Sequence, residues 1–161
     1  MELDCAVDVG WSAATDWEAL ANRAAGAATQ VAPELDNPRL CASILFTGDE
    51  DIRILNREWR GKDKSTNVLS FPMMGRSELL ELSAEGPPAM IGDIALAQET
   101  CSREAKEKGA EIADHAVHLI VHGLLHLAGL DHESGEEEAE AMEALEIKAL
   151  ALLGIANPYE H

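Results

Sequence analysis

Five of the six histidines fall between residues 115 and 132: His115, His118, His122, His126 and His132. His122 and His126 are four residues apart, so on a helix both imidazoles project from one face, close enough to share an ion. Gly129 can end that helix in the left-handed conformation and turn the chain back. His132 then arrives three residues later, where it can supply a third ligand. The block H-G-L-L-H-L-A-G-L-D-H thus has a physical reason at each special position. Three neutral imidazoles leave a tetrahedral Zn²⁺ with an open position and its full charge. Such an ion lowers the pKa of a bound water to about 7. With no cysteine nearby to close the site, the expectation is one catalytic Zn²⁺ per chain, held by His122, His126 and His132. His118, one turn earlier on the same stripe, supports a ligand from behind, faces substrate, or is a satisfied interior histidine. Asp131 can orient a ligand imidazole or serve only the turn. His115 and His161 are expected at the surface.

The elements that position these residues read as a single domain spanning residues 1–161, a usual domain length. Apolar residues make up 47% and aromatic residues 4%, so the core is built from Leu, Ile, Val and Ala. Period-2 alternation marks strands over 2–9 and 39–46, a short strand at Val68–Phe71 and a buried strand at 89–97 broken by Gly92-Asp93. Capping boxes at Thr15–Glu18, Thr47–Glu50 and Ser134–Glu137 open helices. Further helices are expected over 98–108, ended by Gly109, and over 110–128, ended by Gly129. Residues 75–88 read as a loop with at most one helical turn. Interleaved strands and helices give an α+β fold, a small mixed β-sheet covered by helices, with the metal site on a central helix and the turn after it.

Cys5, Cys41 and Cys101 are widely spaced and form no CxxC pair, which argues against a disulfide framework and for a reducing compartment. The N-terminus lacks the basic and apolar regions of a signal peptide, and no run reaches the roughly 20 apolar residues of a membrane span. A soluble cytoplasmic protein with no membrane partner is expected. The net charge of −18 repels nucleic acid at long range, but the charge is segregated. Arg53, Arg57, Arg60, Lys62 and Lys64 outnumber Glu58 and Asp63, giving a local balance of +3, whereas Glu133 to Glu146 holds seven glutamates and no base. The basic segment can face an anion. The acidic helix can face a partner with a basic surface.

The spacing H-x-x-x-H-x-x-G-x-x-H is shared with the metzincin proteases, which carry a glutamate base directly after the first histidine. Here that position is Gly123, which cannot take a proton. The same block also resembles the signature of the YbeY endoribonucleases, the bacterial rRNA maturation factors. Two further blocks agree with it in order: Asn56–Arg60 followed by Lys62–Pro72, and Gly92-Asp93-Ile94. The resemblance implies a compact α+β fold with one Zn²⁺ in a cleft. It also implies single-strand endoribonuclease cleavage, maturation of the small-subunit rRNA 3′ end, and ribosome quality control. Arg60 matches the family's functional arginine beside the metal. An arginine there can grip a phosphate bidentately and offset charge developing on it, or merely pair with Glu58. Lys62 and Lys64 either track the RNA backbone or are solvated loop lysines. Where the family usually has Asp, this chain has Asn67. The partners implied are single-stranded rRNA and small-subunit ribosomal proteins, not DNA. Two alternatives stand beside this reading: a zinc peptidase, and a non-enzymatic ribosome-assembly factor with a structural zinc.

Overall fold

The computed structural model describes residues 1–131 and 135–160; His132, Ser134 and His161, and the expectations placed on them, lie outside these. A four-stranded sheet consists of β1 (Glu2–Val7), β2 (Leu40–Thr47), β3 (Val68–Pro72) and β4 (Ala89–Ala97), in the order β1-β2-β4-β3. β1, β2 and β4 run parallel, and β3 lies antiparallel along β4. Around it lie α1 (Trp17–Val31), α2 (Asp49–Arg60), α3 (Arg76–Glu81), α4 (Gln98–Lys108), α5 (Ile112–Leu127) and α6 (Glu136–Leu152). The mixed, helix-covered sheet expected from the alternation pattern is the one that forms.

Alternation sorts the side chains between the two faces of the sheet. Leu40, Ala42, Ile44 and Phe46 of β2 join Ile94 and Leu96 of β4 in the main core, with α1 and α5 packed over them. The other face carries a smaller cluster in which Leu69, Ala95 and Ala97 meet Ile52 and Leu55 of α2. α5 is buried on nearly every side, from His115 to Val121 and again at Gly123, Leu124, Leu125 and Leu127, as an apolar helix in a domain interior should be. α1 packs on α5, and its small residues Ala21, Ala24 and Ala28 have no exposure.

Two glycines set how closely these layers approach. On α5, a Cβ at Gly123 would lie 2.9 Å from Ile94 Cδ1 and 3.1 Å from its Cγ1, so helix and sheet touch almost backbone to side chain. In β4 the Gly92-Asp93 pair does not interrupt the strand. The pairing with β2 slips by one residue between Cys41 and Ala42, a β-bulge that leaves Ile91 as the extra residue and keeps it in the core. Gly92 has φ +148, and a Cβ there would run into the Phe71 carbonyl oxygen.

Helix starts differ from the capping boxes read in the sequence. Asp16 rather than Thr15 caps α1, its carboxylate accepting the Ala19 N–H at 3.0 Å. At α2 the N-cap is Gly48, and Thr47 instead donates its hydroxyl to Asp51 at 2.6 Å. α3 turns part of the expected 75–88 loop into helix.

Gly26 of α1 is exposed, and a Cβ there meets nothing within 4 Å. G26A should therefore stabilise the fold by about 0.4–1 kcal/mol through the unfolded chain. G123V, forced against Ile94, should cost about 1–3 kcal/mol. Urea unfolding of both variants checks the pair, and equal midpoints would contradict the close contact of α5 with β4.

Candidate active site

α5 carries His115, His118, His122 and His126 as one stripe, with successive ring centroids 6.0, 6.5 and 4.8 Å apart. Exposure divides the stripe in two. His115 and His118 are buried, and His122 and His126 are half-buried. The outer pair opens on a cleft of about 500 Å³ between the end of α5 and β3. Arg60, the last residue of α2, lines the same cleft, as do Asn67, Ser70 and the turn Gly129–Asp131. The structure thus brings together Arg60, His122, His126 and Asp131, which stand far apart in the sequence. Lys62 and Lys64 are exposed on the loop after α2, outside the cleft lining. Arg60 forms no ion pair with Glu58 or any other described residue. Among the described residues no group of three side chains is placed to hold a metal.

The two inner histidines are each engaged by a carboxylate. Glu146 of α6, 1% exposed, receives three donors on its Oε1: His118 Nε2 at 2.9 Å, His122 Nδ1 at 3.1 Å and the Tyr159 hydroxyl at 3.0 Å. Burial works to raise the Glu146 pKa, but the bonds from His118 and His122 prevail and hold it at about 2. Burial and the Glu146 charge push the Tyr159 phenol upward, so it remains a donor. Donation from Nδ1 to a carboxylate leaves the lone pair of a neutral His122 ring on Nε2, the arrangement common among metal-binding histidines. His118 lies in the interior and shares Glu146 Oε1 with His122, while its buried Nδ1 has no hydrogen-bond partner among the described residues.

His115 is 4% exposed rather than at the surface. It sits one turn from His118, facing α4, where its Nε2 lies 2.8 Å from Glu104 Oε1. Burial lowers the His115 pKa more than Glu104 raises it. Glu104 is lowered as well: burial opposes this, but the bonds from His115 and Asn67 outweigh it. Asn67 Nδ2 donates to the same Glu104 oxygen at 2.9 Å, while its Oδ1 accepts the Val68 N–H at 2.7 Å. The amide at the cleft wall is therefore fixed at both ends. An ionised aspartate could not donate to Glu104, so Asn67 and Glu104 are a matched pair.

The turn after α5 is locked by a residue that sequence reasoning did not single out. Gly129 has φ +87, and a Cβ there would lie 2.6 Å from Arg76 Cβ. Arg76 donates Nη1 to the Ala128 carbonyl at 2.7 Å and pairs Nη2 with Glu34 at 2.7 Å, satisfying the C-terminal end of α5. Glu146, Tyr159, Glu104 and Arg76 were all missed. For Glu146 a signal existed: Met142, Glu146, Ala149 and Leu150 form the buried stripe of α6, so a glutamate occupies a core position of that helix. Gly123 faces Ile94, and a glutamate there would be driven into the sheet rather than into the cleft. That removes the position of a metzincin-type base.

Residues 10–154 match the family model described as Endoribonuclease YbeY. The chain is 57% identical over 160 residues to the Endoribonuclease YbeY of Novosphingobium aromaticivorans, covering 99% of this chain and 95% of that protein. It is 61% identical over 144 residues to the Endoribonuclease YbeY of Erythrobacter litoralis, covering 89% of each. The solution structure of TM1509 from Thermotoga maritima shares the fold, with a TM-score of 0.57 at 18% identity over 99% of both chains.

Because Asn67 donates to Glu104, N67D should lower stability by on the order of 1 kcal/mol at pH 7–8. Two carboxylates then face each other, both ionised. The difference from the unsubstituted protein should close as the pH falls toward about 4, where one group takes up a proton and can donate. Urea unfolding across this pH range measures the difference, and a pH-independent one would contradict the pairing.

Proposed function

The chain belongs to the YbeY endoribonuclease family, and on that premise we propose that it is a zinc-dependent endoribonuclease that cuts single-stranded RNA. Its proposed task is maturation of the 3′ end of small-subunit rRNA, with a part in ribosome quality control in the cytoplasm. The observation that supports this best is the convergence of Arg60 from α2 with His122 and His126 from α5 on one cleft. A guanidinium opposite two imidazoles suits a phosphodiester better than a peptide.

In this reading His122, His126 and His132 hold one Zn²⁺. The ion would supply Lewis acidity toward a phosphate oxygen and lower the pKa of water. Glu146 fixes the proton of His122 on Nδ1 and orients its ring. Arg60 binds the phosphate and stabilises charge as it builds during cleavage. Asn67, clamped by Glu104 and Val68, presents a fixed wall to the substrate. Both attack by water and attack by the neighbouring 2′-OH fit this arrangement.

Purified protein should contain one zinc per chain by elemental analysis, cleave single-stranded RNA, leave casein intact, and lose activity with chelator or in H126A. RNA cleavage by H126A equal to that of the unsubstituted protein would overturn the reading. R60A should keep its zinc and lose about 10²–10³ in kcat. E146Q should weaken zinc affinity about 10–100-fold in competition with a chelator.

A further inference from the structure

The face of the sheet opposite α5 carries a second depression that the mechanism above does not use. α2 covers this face only in part, and beside it lies an apolar groove of about 700 Å³. Leu45, Trp59, Phe71 and Met73 contribute to its walls. Arg60, Ser70 and Pro72 line both the groove and the catalytic cleft, so the two are adjacent. Trp59 is 72% exposed, the most exposed aromatic side chain among the described residues, whereas Trp11 and Trp17 are each 3% exposed. Leaving an indole in water is unfavourable, and no packing role accounts for it here.

The surroundings favour one occupant. Trp59 is flanked by Arg57, Arg60, Lys62 and Lys64, all exposed, in a segment of local charge +3 within a chain of net charge −18. A ligand attracted to flat apolar surface and positive charge together is single-stranded nucleic acid, which offers unpaired bases beside phosphates. We propose that this groove is a nucleotide-binding subsite, in which a base flanking the scissile linkage stacks on the Trp59 indole. Arg60 marks the boundary between the base in the groove and the phosphate in the cleft. This rests on the ribonuclease reading of the cleft and adds to it a physical source of strand selectivity. A duplex hides its bases and cannot offer one to Trp59.

Trp11 and Trp17 are buried, so the tryptophan fluorescence that responds to solutes comes from Trp59. Titrating the full chain with a short single-stranded 2′-O-methyl oligoribonucleotide should quench this component, and the same strand annealed to its complement should not. W59F should bind the single strand nearly as well without the quench. W59A and W59L should bind roughly 5- to 150-fold more weakly, and on cleavable RNA they should raise KM with kcat little changed. Quenching and Trp59-dependent binding in a protein that cleaves no RNA would support the subsite while ending the ribonuclease reading. Normal cleavage by W59A with no quench in the unsubstituted protein would overturn the subsite alone. So would a W59A variant that binds RNA normally but changes from dimer to monomer in size-exclusion chromatography, since the groove would then join two copies of this chain.

Discussion

The Oε1 atom of Glu146 accepts hydrogen bonds from His118, His122 and Tyr159, and so ties α5, α6 and the segment after α6 to one point. Moving a carboxylate out of water costs several kcal/mol, and three donors on one oxygen are what make that position tolerable. The exchange has a geometric result. The buried stripe of α6 holds Met142, Glu146, Ala149 and Leu150, with Leu145 packed beside it. The carboxylate adds directional bonds to that apolar contact. The same bonds set the rotation and tautomer of His122, so the attachment of a helix and the orientation of a site residue are one interaction.

Much of this architecture is legible in the sequence, because it rests on local pattern. The Leu40–Thr47 alternation, the Ala-rich helix at 17–31 and the glycine stops after α4 and α5 follow from periodicity and turn chemistry. The histidine pair on α5 is legible for the same reason, since helical spacing alone puts both rings on one face. What was not legible depends on partners distant in sequence. His115 reads as a surface residue until α4 brings Glu104 beneath it. Arg76 gains its role only where the α5 turn folds back over it. The Gly92 bulge looks like a broken strand in one dimension and is a register slip in three.

Gly123 joins the two levels. In the sequence it is a missing base; in the fold it is the point where α5 rests on Ile94. The space that a glutamate would need is taken by the sheet, so the residue after the first histidine serves packing. Any acid–base chemistry in the cleft must come from elsewhere on its walls. Those walls are supplied by α2, β3 and the α5 turn, each anchored by polar contacts of its own: Asn56 to the Lys64 carbonyl, Asn67 to Glu104, Arg76 to Ala128.

Four imidazoles in a row along one helix would ordinarily invite several cations to load side by side. Here the two inner rings have their Nε2 atoms committed, His115 to Glu104 and His118 to Glu146. The Glu146 side chain is 1% exposed and needs its donors, whereas that of Glu104 keeps 30% exposure and a second donor in Asn67. The row is therefore divided, its inner Nε2 atoms facing carboxylates and its outer rings facing the cleft, so the number of histidines the helix displays overstates the number that a ligand in the cleft can meet.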